Sequence, residues 1–441
     1  MEEALAPQTE PGGRMGRVAV RARECVRDHL LPEFSQAARS ALGHRGYNAR
    51  VNTLGGFKLR QRRAVSGRAR DPELPLGLVK YLETAEASLA EPFRGITTDG
   101  HVPAGLYPLG ATGVPTRALG DAARAWLDSL THEQRARALF PVDGDAWRRW
   151  SNIHPFLMRH GVSLDEMTER QRGLALALLR ESLSAEGFQT ARDVMRLNEL
   201  VRVLTGSNQE YGEWLYWLSL MGEPSAHEPW GWQLDGHHLI VNAFVLGDQL
   251  VMTPMFMGSE PVAAEDGTRV FAAEEGRGLA LMRALTPEQR AKATLGAALP
   301  TELFSAAFRD NLLLRYEGLP WGELSTPQQD LLLDLLRVYV GRIRAGHAEV
   351  RMDEVKRHLA ETHFAWMGRS DEDSAFYCRI HSPVVLVEFD HQRGIALDND
   401  EPARTHIHTV VRTPNGNDYG RDLLRQHHEQ FDHARAAHRH G

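Results

Sequence analysis

From residue 118 onward, apolar positions recur three and four apart, the rhythm of amphipathic helices, and near residue 230 the rhythm changes to the aromatic and β-branched runs of strands. One start signal marks four of the helices: Thr131 with Gln134, Thr168 with Gln171, Thr286 with Gln289 and Thr326 with Gln329. In such a capping box the two side chains satisfy each other's orphan backbone donors. The phrases Leu130-Thr131-His132-Glu133-Gln134-Arg135-Ala136 and Leu285-Thr286-Pro287-Glu288-Gln289-Arg290-Ala291 are alike, and a shared cap accounts for the likeness better than duplication. Residues 230–245 and 250–254 read as two strands joined by a Gly247-Asp248 turn. Further strands are expected over 375–380, 384–389 and 405–411, with Pro383, Gly394 and Asp398-Asn399-Asp400 as breakers, before a last helix from 421 to about 437.

This order predicts an α+β fold, with helical N-terminal and middle segments packed on a mostly antiparallel sheet built from residues about 230–255 and 375–411. The expected organisation is a disordered lead (1–16), a helix over 18–42 within a Gly/Pro/Arg-rich extension (17–117), a single catalytic module (118–437) and a frayed tail (438–441). Within the extension, 96–113 is dense in Gly and Pro and reads as a connector or flap.

With 441 residues, 42% hydrophobic, the chain can bury a sizeable core. Its net charge of -7 offers no field for nucleic acid or anionic lipid, despite an arginine excess in the first seventy residues. The first residues lack the apolar region of a secretory signal, and no run is long enough for a membrane helix. Cys25 and Cys378 alone make no disulfide framework and no thiolate zinc ribbon, so a cytoplasmic setting is expected. Cys378 reads as a small core residue rather than a nucleophile. Nothing in the pattern indicates an oligomeric state.

Histidine changes the picture. Between residues 381 and 440 stand His381, His391, His406, His408, His427, His428, His433, His438 and His440. His406 and His408 flank Ile407 in a β-branched run, so both rings project from one strand face about 7 Å apart and can converge on one ion. His427, on the last helix, is the expected third ligand. His237 and His238 follow Gly236 in a strand-like run, which puts their rings on opposite faces, so one or the other joins the site. Alternation from Val384 to Asp390 places Glu388 and Asp390 on one face. Asp418 is a candidate catalytic group, or simply the cap of the last helix. Trp230 and Trp232, two apart, more often pack than bind. His428-Glu429-Gln430-Phe431-Asp432 misses the metalloprotease helix pattern, and the phosphate-loop, dinucleotide and nucleophile-elbow motifs are absent.

Several phrases form one ordered series: Trp147-Arg148-Arg149-Trp150-Ser151-Asn152, Trp230-Gly231-Trp232, Gly236-His237-His238-Leu239, Thr253-Pro254, Gly258 with Glu260-Pro261, and Phe364-Ala365-Trp366-Met367-Gly368. The series continues through Glu388-Phe389-Asp390, His406-Ile407-His408, Arg412-Thr413-Pro414, Asn417-Asp418-Tyr419-Gly420 and Asp422-Leu423-Leu424 with His427. It resembles the domain of unknown function 3500 family over roughly 119–428. The resemblance implies one large module with a shared site and names no reaction. The tyrosine that commonly follows the final helix's histidine in such proteins is His428 here.

The residues together lead to a metal-dependent enzyme acting on a small anionic molecule, with His406, His408, His427 and one of His237 and His238 holding a single transition metal. Zinc is the first expectation, with iron or copper as alternatives. Metal-activated water would carry hydrolase or lyase chemistry. Glu388 would act as base or orient a ligand, Arg412 and Arg379 would hold the anion, and Trp232 and Tyr419 complete the candidate substrate contacts. The alternatives are an iron- or copper-dependent oxidase and a non-catalytic metal- or ligand-binding protein. No nucleotide cofactor, nucleic acid or membrane partner is expected.

Overall fold

The computed structural model describes residues 53–54, 57–60, 76–153, 159–206 and 210–438, with side chains as far as Gln430. The expected lead, the helix over 18–42, the arginine-rich stretch to residue 70 and the last three residues of the tail lie outside them. Thr53 onward forms one compact unit.

In chain order the elements are β1 (Thr53–Leu54), β2 (Phe57–Lys58), α1 (Leu76–Ala90), α2 (Arg117–Ser129), α3 (His132–Ala138), β3 (Leu139–Phe140), β4 (Val162–Ser163), α4 (Glu169–Ser182) and α5 (Ala185–Thr205). There follow β5 (Tyr216–Met221), β6 (Trp230–Gly236), β7 (Leu239–Leu246), β8 (Gln249–Val251), β9 (Met255–Ser259), α6 (Ala272–Ala284), α7 (Pro287–Ala293), β10 (Thr294–Gly296) and β11 (Leu319–Pro320). The chain ends with α8 (Thr326–Val340), α9 (His347–Arg357), β12 (His363–Gly368), β13 (Phe376–His381), β14 (Leu386–His391), β15 (Ile407–Arg412) and α10 (Arg421–His438).

The expected α+β class holds. Thirteen strands form one sheet whose main path is β10-β12-β13-β14-β15-β9-β7-β6-β5-β3. Among the described strands only β3 with β5 and β10 with β12 pair in parallel. The sheet reaches beyond the expected strands to β5 and β12, whose apolar runs resemble buried helix segments in sequence.

Read from either end, this path passes the same kinds of element. Each half has a helix, a short capped helix, a short parallel edge strand, a short antiparallel strand, a capped helix, a second helix and then the long antiparallel strands. The caps even make the same cross-links. Gln171 Nε2 donates to Ser129 O (2.9 Å) and Gln134 Oε1 (2.8 Å), while Gln328 Nε2 donates to Ala284 O (2.8 Å) and Gln289 Oε1 (2.8 Å). The likeness of the two Thr-x-x-Gln phrases is therefore part of a repeated architecture, which a shared cap alone does not explain. The fourth capping box is formed by Ser325 and Gln328, one residue before the expected pair, and Pro327 lies in the first turn, where its missing N–H costs nothing.

Alternation divides the sheet's side chains between two cores. On one face Trp232, Leu234, Met257, Val387, Phe389 and Ile407 pack against the helices. On the other Ile240, Phe244, Phe256, Tyr377 and Val410 pack beneath Trp147, Trp150, Leu303, Phe308 and Tyr419. The Gly/Pro-rich stretch 96–113 is no flap: Ile96 and Tyr107 are buried, and Tyr107 donates to Pro414 O at 2.6 Å. Among the described residues no helix is long and apolar enough to cross a membrane.

Candidate metal centre

The centre forms where β15, β9 and the turn between β6 and β7 meet. β15 runs beside β9 with His408 opposite Gly258, and Ile407 faces the helices while His408 faces the other core. Residues 230–246 are not one strand. Gly236-His237-His238 makes a tight turn, with His238 at φ 61°, and Gly258 N donates to His238 O at 2.8 Å. Regular alternation therefore fails at this point, and the two rings stack with centroids 3.8 Å apart at 27° instead of facing opposite ways.

Three imidazoles converge. His406 Nε2 lies 3.0 Å from His408 Nε2 and 3.1 Å from His238 Nε2, and His408 Nε2 lies 3.1 Å from His238 Nε2. All three residues are buried, and their donor atoms are placed so that one ion could be held between them. The other ring nitrogens fix the tautomers. His406 Nδ1 is 2.7 Å from Arg393 O, which can only accept, so Nδ1 carries the proton. His408 Nδ1 donates to Glu302 Oε1 at 2.9 Å. Burial works to raise the Glu302 carboxyl, but His408, Leu303 N–H and Asn152 outweigh it and keep it below the ordinary value. Two Nε2 lone pairs thus face each other across 3.0 Å, an arrangement that is repulsive until a cation enters.

Further groups hold the ligands in place. Asn152 donates to Glu302 Oε2 at 3.2 Å, and its backbone carbonyl accepts from His238 N at 3.2 Å, so one residue links His238 to the carboxylate that holds His408. His237 donates through Nδ1 to Asn198 Oδ1 at 2.8 Å and backs the His238 ring. Glu388 accepts from Phe304 N (2.9 Å), Ser305 N (2.8 Å) and Tyr377 OH (2.7 Å), which anchors the segment bearing Glu302. Glu260 accepts from the backbone N–H groups of Ile395, Ala396 and Leu397, shaping the loop that presents Arg393 O. Asp390 stands opposite His408 on β14, with Oδ1 lacking a partner among the described residues. Burial and the charge of Glu302 push its carboxyl well up, which favours the protonated form of Asp390 beside the Glu302 carboxylate.

Other expected site residues lie elsewhere. His427 is on α10, 3.8 Å from Glu228, outside the triad. Arg412 is wholly committed, with Nε to Asp418 (2.7 Å), Nη2 to Asp310 (2.7 Å) and Nη1 to Ser305 O (2.7 Å). Asp418 is its partner and also accepts from Thr413 N at 2.7 Å, so it neither caps α10 nor meets the triad. Tyr419 donates to Asp310 at 3.0 Å and accepts from Trp150. Arg379 pairs with Glu317 at 2.8 Å. Trp232 packs in the helix-facing core, on the opposite side of the sheet from His408. Sequence reasoning missed Glu302, Asn152, Asn198 and Glu260. Asn152 and Glu260 stood in the phrases of the family series, but Glu302 lies in a loop whose sequence carries no periodicity.

Three measurements follow from this geometry. A Cβ at Gly258 would lie 2.7 Å from Ile407 O and 2.9 Å from the His408 ring. Gly258→Ala should force β9 and β15 apart, costing about 1–3 kcal/mol in denaturant midpoint and weakening metal uptake together. Glu302→Gln keeps the shape and removes the charge, so competition against a chromophoric chelator should read an affinity lower by about 10–100-fold with thermal stability of the metal-free protein nearly unchanged. Burial pushes His406 down to about 4, with Glu260 opposing and His408 adding. Its folded pKa lies below the unfolded one, so the stabilisation is present above about pH 6.5 and is lost as pH falls toward 4. Urea titrations of the metal-free protein should lose about 3 kcal/mol from this group over that window, and His406→Gln should flatten the slope.

No curated protein and no solved structure matches the chain. Residues 112–421, well over half of the sequence, match the family described as "Protein of unknown function (DUF3500)", and every histidine of the triad lies within that span. The chain belongs to the DUF3500 family.

Proposed function

We propose that the protein is a metal-dependent enzyme in which His238, His406 and His408 hold one divalent transition-metal ion that activates water against a small molecule, in hydrolase or lyase chemistry. The observation that carries this reading is the convergence of three buried Nε2 atoms at 3.0–3.1 Å, two of them with lone pairs fixed inward by protonated Nδ1 atoms. Three neutral imidazoles leave the ion its full charge, which lowers the pKa of a bound water to about 7. Arg379 and Arg412 are committed to carboxylates within the protein, so the reading no longer assigns them a substrate anion. It retains a small molecule that reaches the ion directly. The absence of a cysteine framework suits a reducing compartment, and we place the protein in the cytoplasm as part of the same proposal.

One feature favours a second reading. With metal–nitrogen bonds of about 2.1 Å, donor separations of 3.0–3.1 Å subtend about 95° at the ion, nearer a facial octahedral set than a tetrahedron. Such a set leaves adjacent positions open and suits iron or copper with oxygen as well as zinc or manganese with water. Reconstitution separates the two. Metal-free protein would be loaded with zinc, manganese, iron(II) or copper, incubated with a metabolite extract, and followed by mass spectrometry with an oxygen electrode. Turnover with zinc or manganese under nitrogen supports water activation, and turnover only with iron or copper, matched by oxygen uptake, supports the second reading. Failure to take up any of the four metals removes both.

A further inference from the structure

At the opposite end of the β9–β15 pair from the histidines, a cavity of about 350 Å³ opens between the start of β9, the end of α8 and the start of α9. Three to five residues of β15 separate it from His408, about 10–16 Å along the strand. None of its lining residues belongs to the triad or to the groups that brace it, so nothing that follows rests on the metal reading.

The chemistry of its wall is specific. Met252, Met255, Val340, Ile343 and Val411 are buried and make an apolar floor, in which two flexible thioethers can adapt to a flat or branched guest. Most polar groups of the wall are already satisfied, while the buried Tyr339 hydroxyl, near Cys378, Glu274 and Arg342, has no hydrogen-bond partner among the described residues. Thr253 Oγ1 and Thr413 Oγ1 are 2.6 Å apart, and Arg351 donates to Thr413 Oγ1 at 3.0 Å and to Val384 O at 2.6 Å while pairing with Glu354. At the rim Arg357 and Asp353 carry opposite charges that cancel in sum, with Asp353 paired to Lys356 at 2.9 Å. His347, the first residue of α9, is 8% exposed and lines the cavity, and its ring makes no hydrogen bond to any described residue. Burial also holds its pKa below the ordinary value, which keeps the ring neutral and able to accept. A hydroxyl bound in the cavity would give this ring the hydrogen bond that it lacks within the protein.

We propose that this cavity binds a small, uncharged, mostly apolar molecule whose single hydroxyl group donates to the His347 ring. An apolar wall with one convergent polar group is the usual composition of a small-molecule site, and the balanced charges disfavour an ion.

The test uses the full chain with p-cresol and toluene, which differ by the hydroxyl alone, in ligand-observed NMR titrations. Wild-type protein should bind p-cresol about tenfold more tightly than toluene. His347→Phe should abolish that preference and leave toluene binding in place. Val350→Trp, at the partly exposed mouth, should weaken both by more than about tenfold with the circular dichroism spectrum unchanged. Should Val350→Trp fail to fold, intermolecular NOEs from p-cresol to the methyl groups of Met252 and Met255 in wild-type protein take its place. Equal affinity of wild type for the two probes, no binding of either, or binding indifferent to both substitutions overturns the proposal.

Discussion

Arg412→Met is expected to remove about 3–5 kcal/mol of stability, a large part of what an ordinary domain possesses. The guanidinium is fully buried and is gripped on every side, by Asp418, Asp310 and the Ser305 carbonyl. Methionine fills most of the volume but leaves Asp418 buried and without its cation. Asp310 keeps only Arg148, 3.0 Å away, and the hydroxyl of Tyr419. Asp418 already has its carboxyl raised by burial, with Arg412 opposing, so losing the arginine should drive it to take up a proton. The expected result is a fall in urea midpoint that is the same with and without metal. A variant as stable as wild type but lacking activity would return Arg412 to the substrate side of the account.

His406→Ala and His408→Ala should each abolish stoichiometric metal and remove the response to chelator. In wild-type protein, metal at a thousand times its dissociation constant adds about 4 kcal/mol. For a unit of this size that is a fall of roughly 5 °C in Tm on adding EDTA. Neither variant should show it. The metal-free proteins should differ less, because each substitution opens a cavity but also relieves the lone-pair repulsion between Nε2 atoms 3.0 Å apart. Calorimetry with and without EDTA reads both effects. An EDTA shift that persists in His408→Ala would mean that the ion sits elsewhere.

Alternation made His406 and His408 legible from the sequence, since side chains two apart in a strand share a face whatever the surrounding fold. His238 was only half legible. Gly236 signalled a close approach, but two histidines within a long apolar run read as a continuing strand, and only the positive φ of His238 reveals the turn that stacks the rings. His427 failed as a ligand because a helix fixes which residues share a face and not which neighbour that face meets. Leu423 and Leu424 dock α10 into the core, and His427 remains half-buried near Glu228. Arg412 and Asp418 were misread for a related reason: buried ion pairs and substrate-binding charges use the same residue types, and burial alone tells them apart. Glu302 had no signal at all, because its role depends on a loop anchored 84 residues away by Glu388. The class of fold was readable from the order of helical and strand-like runs, whereas the repeat was hidden: its two halves share cap chemistry and element order, but little sequence.

X-ray absorption on metal-loaded protein probes the triad most directly. The account predicts one equivalent of metal, an absorption fine structure fitted by three imidazole nitrogens at about 2.0–2.1 Å with the remaining positions filled by oxygen, and loss of that signal in His408→Ala. A wild-type protein that takes up no metal, or one whose bound ion has no imidazole in its shell, would contradict it.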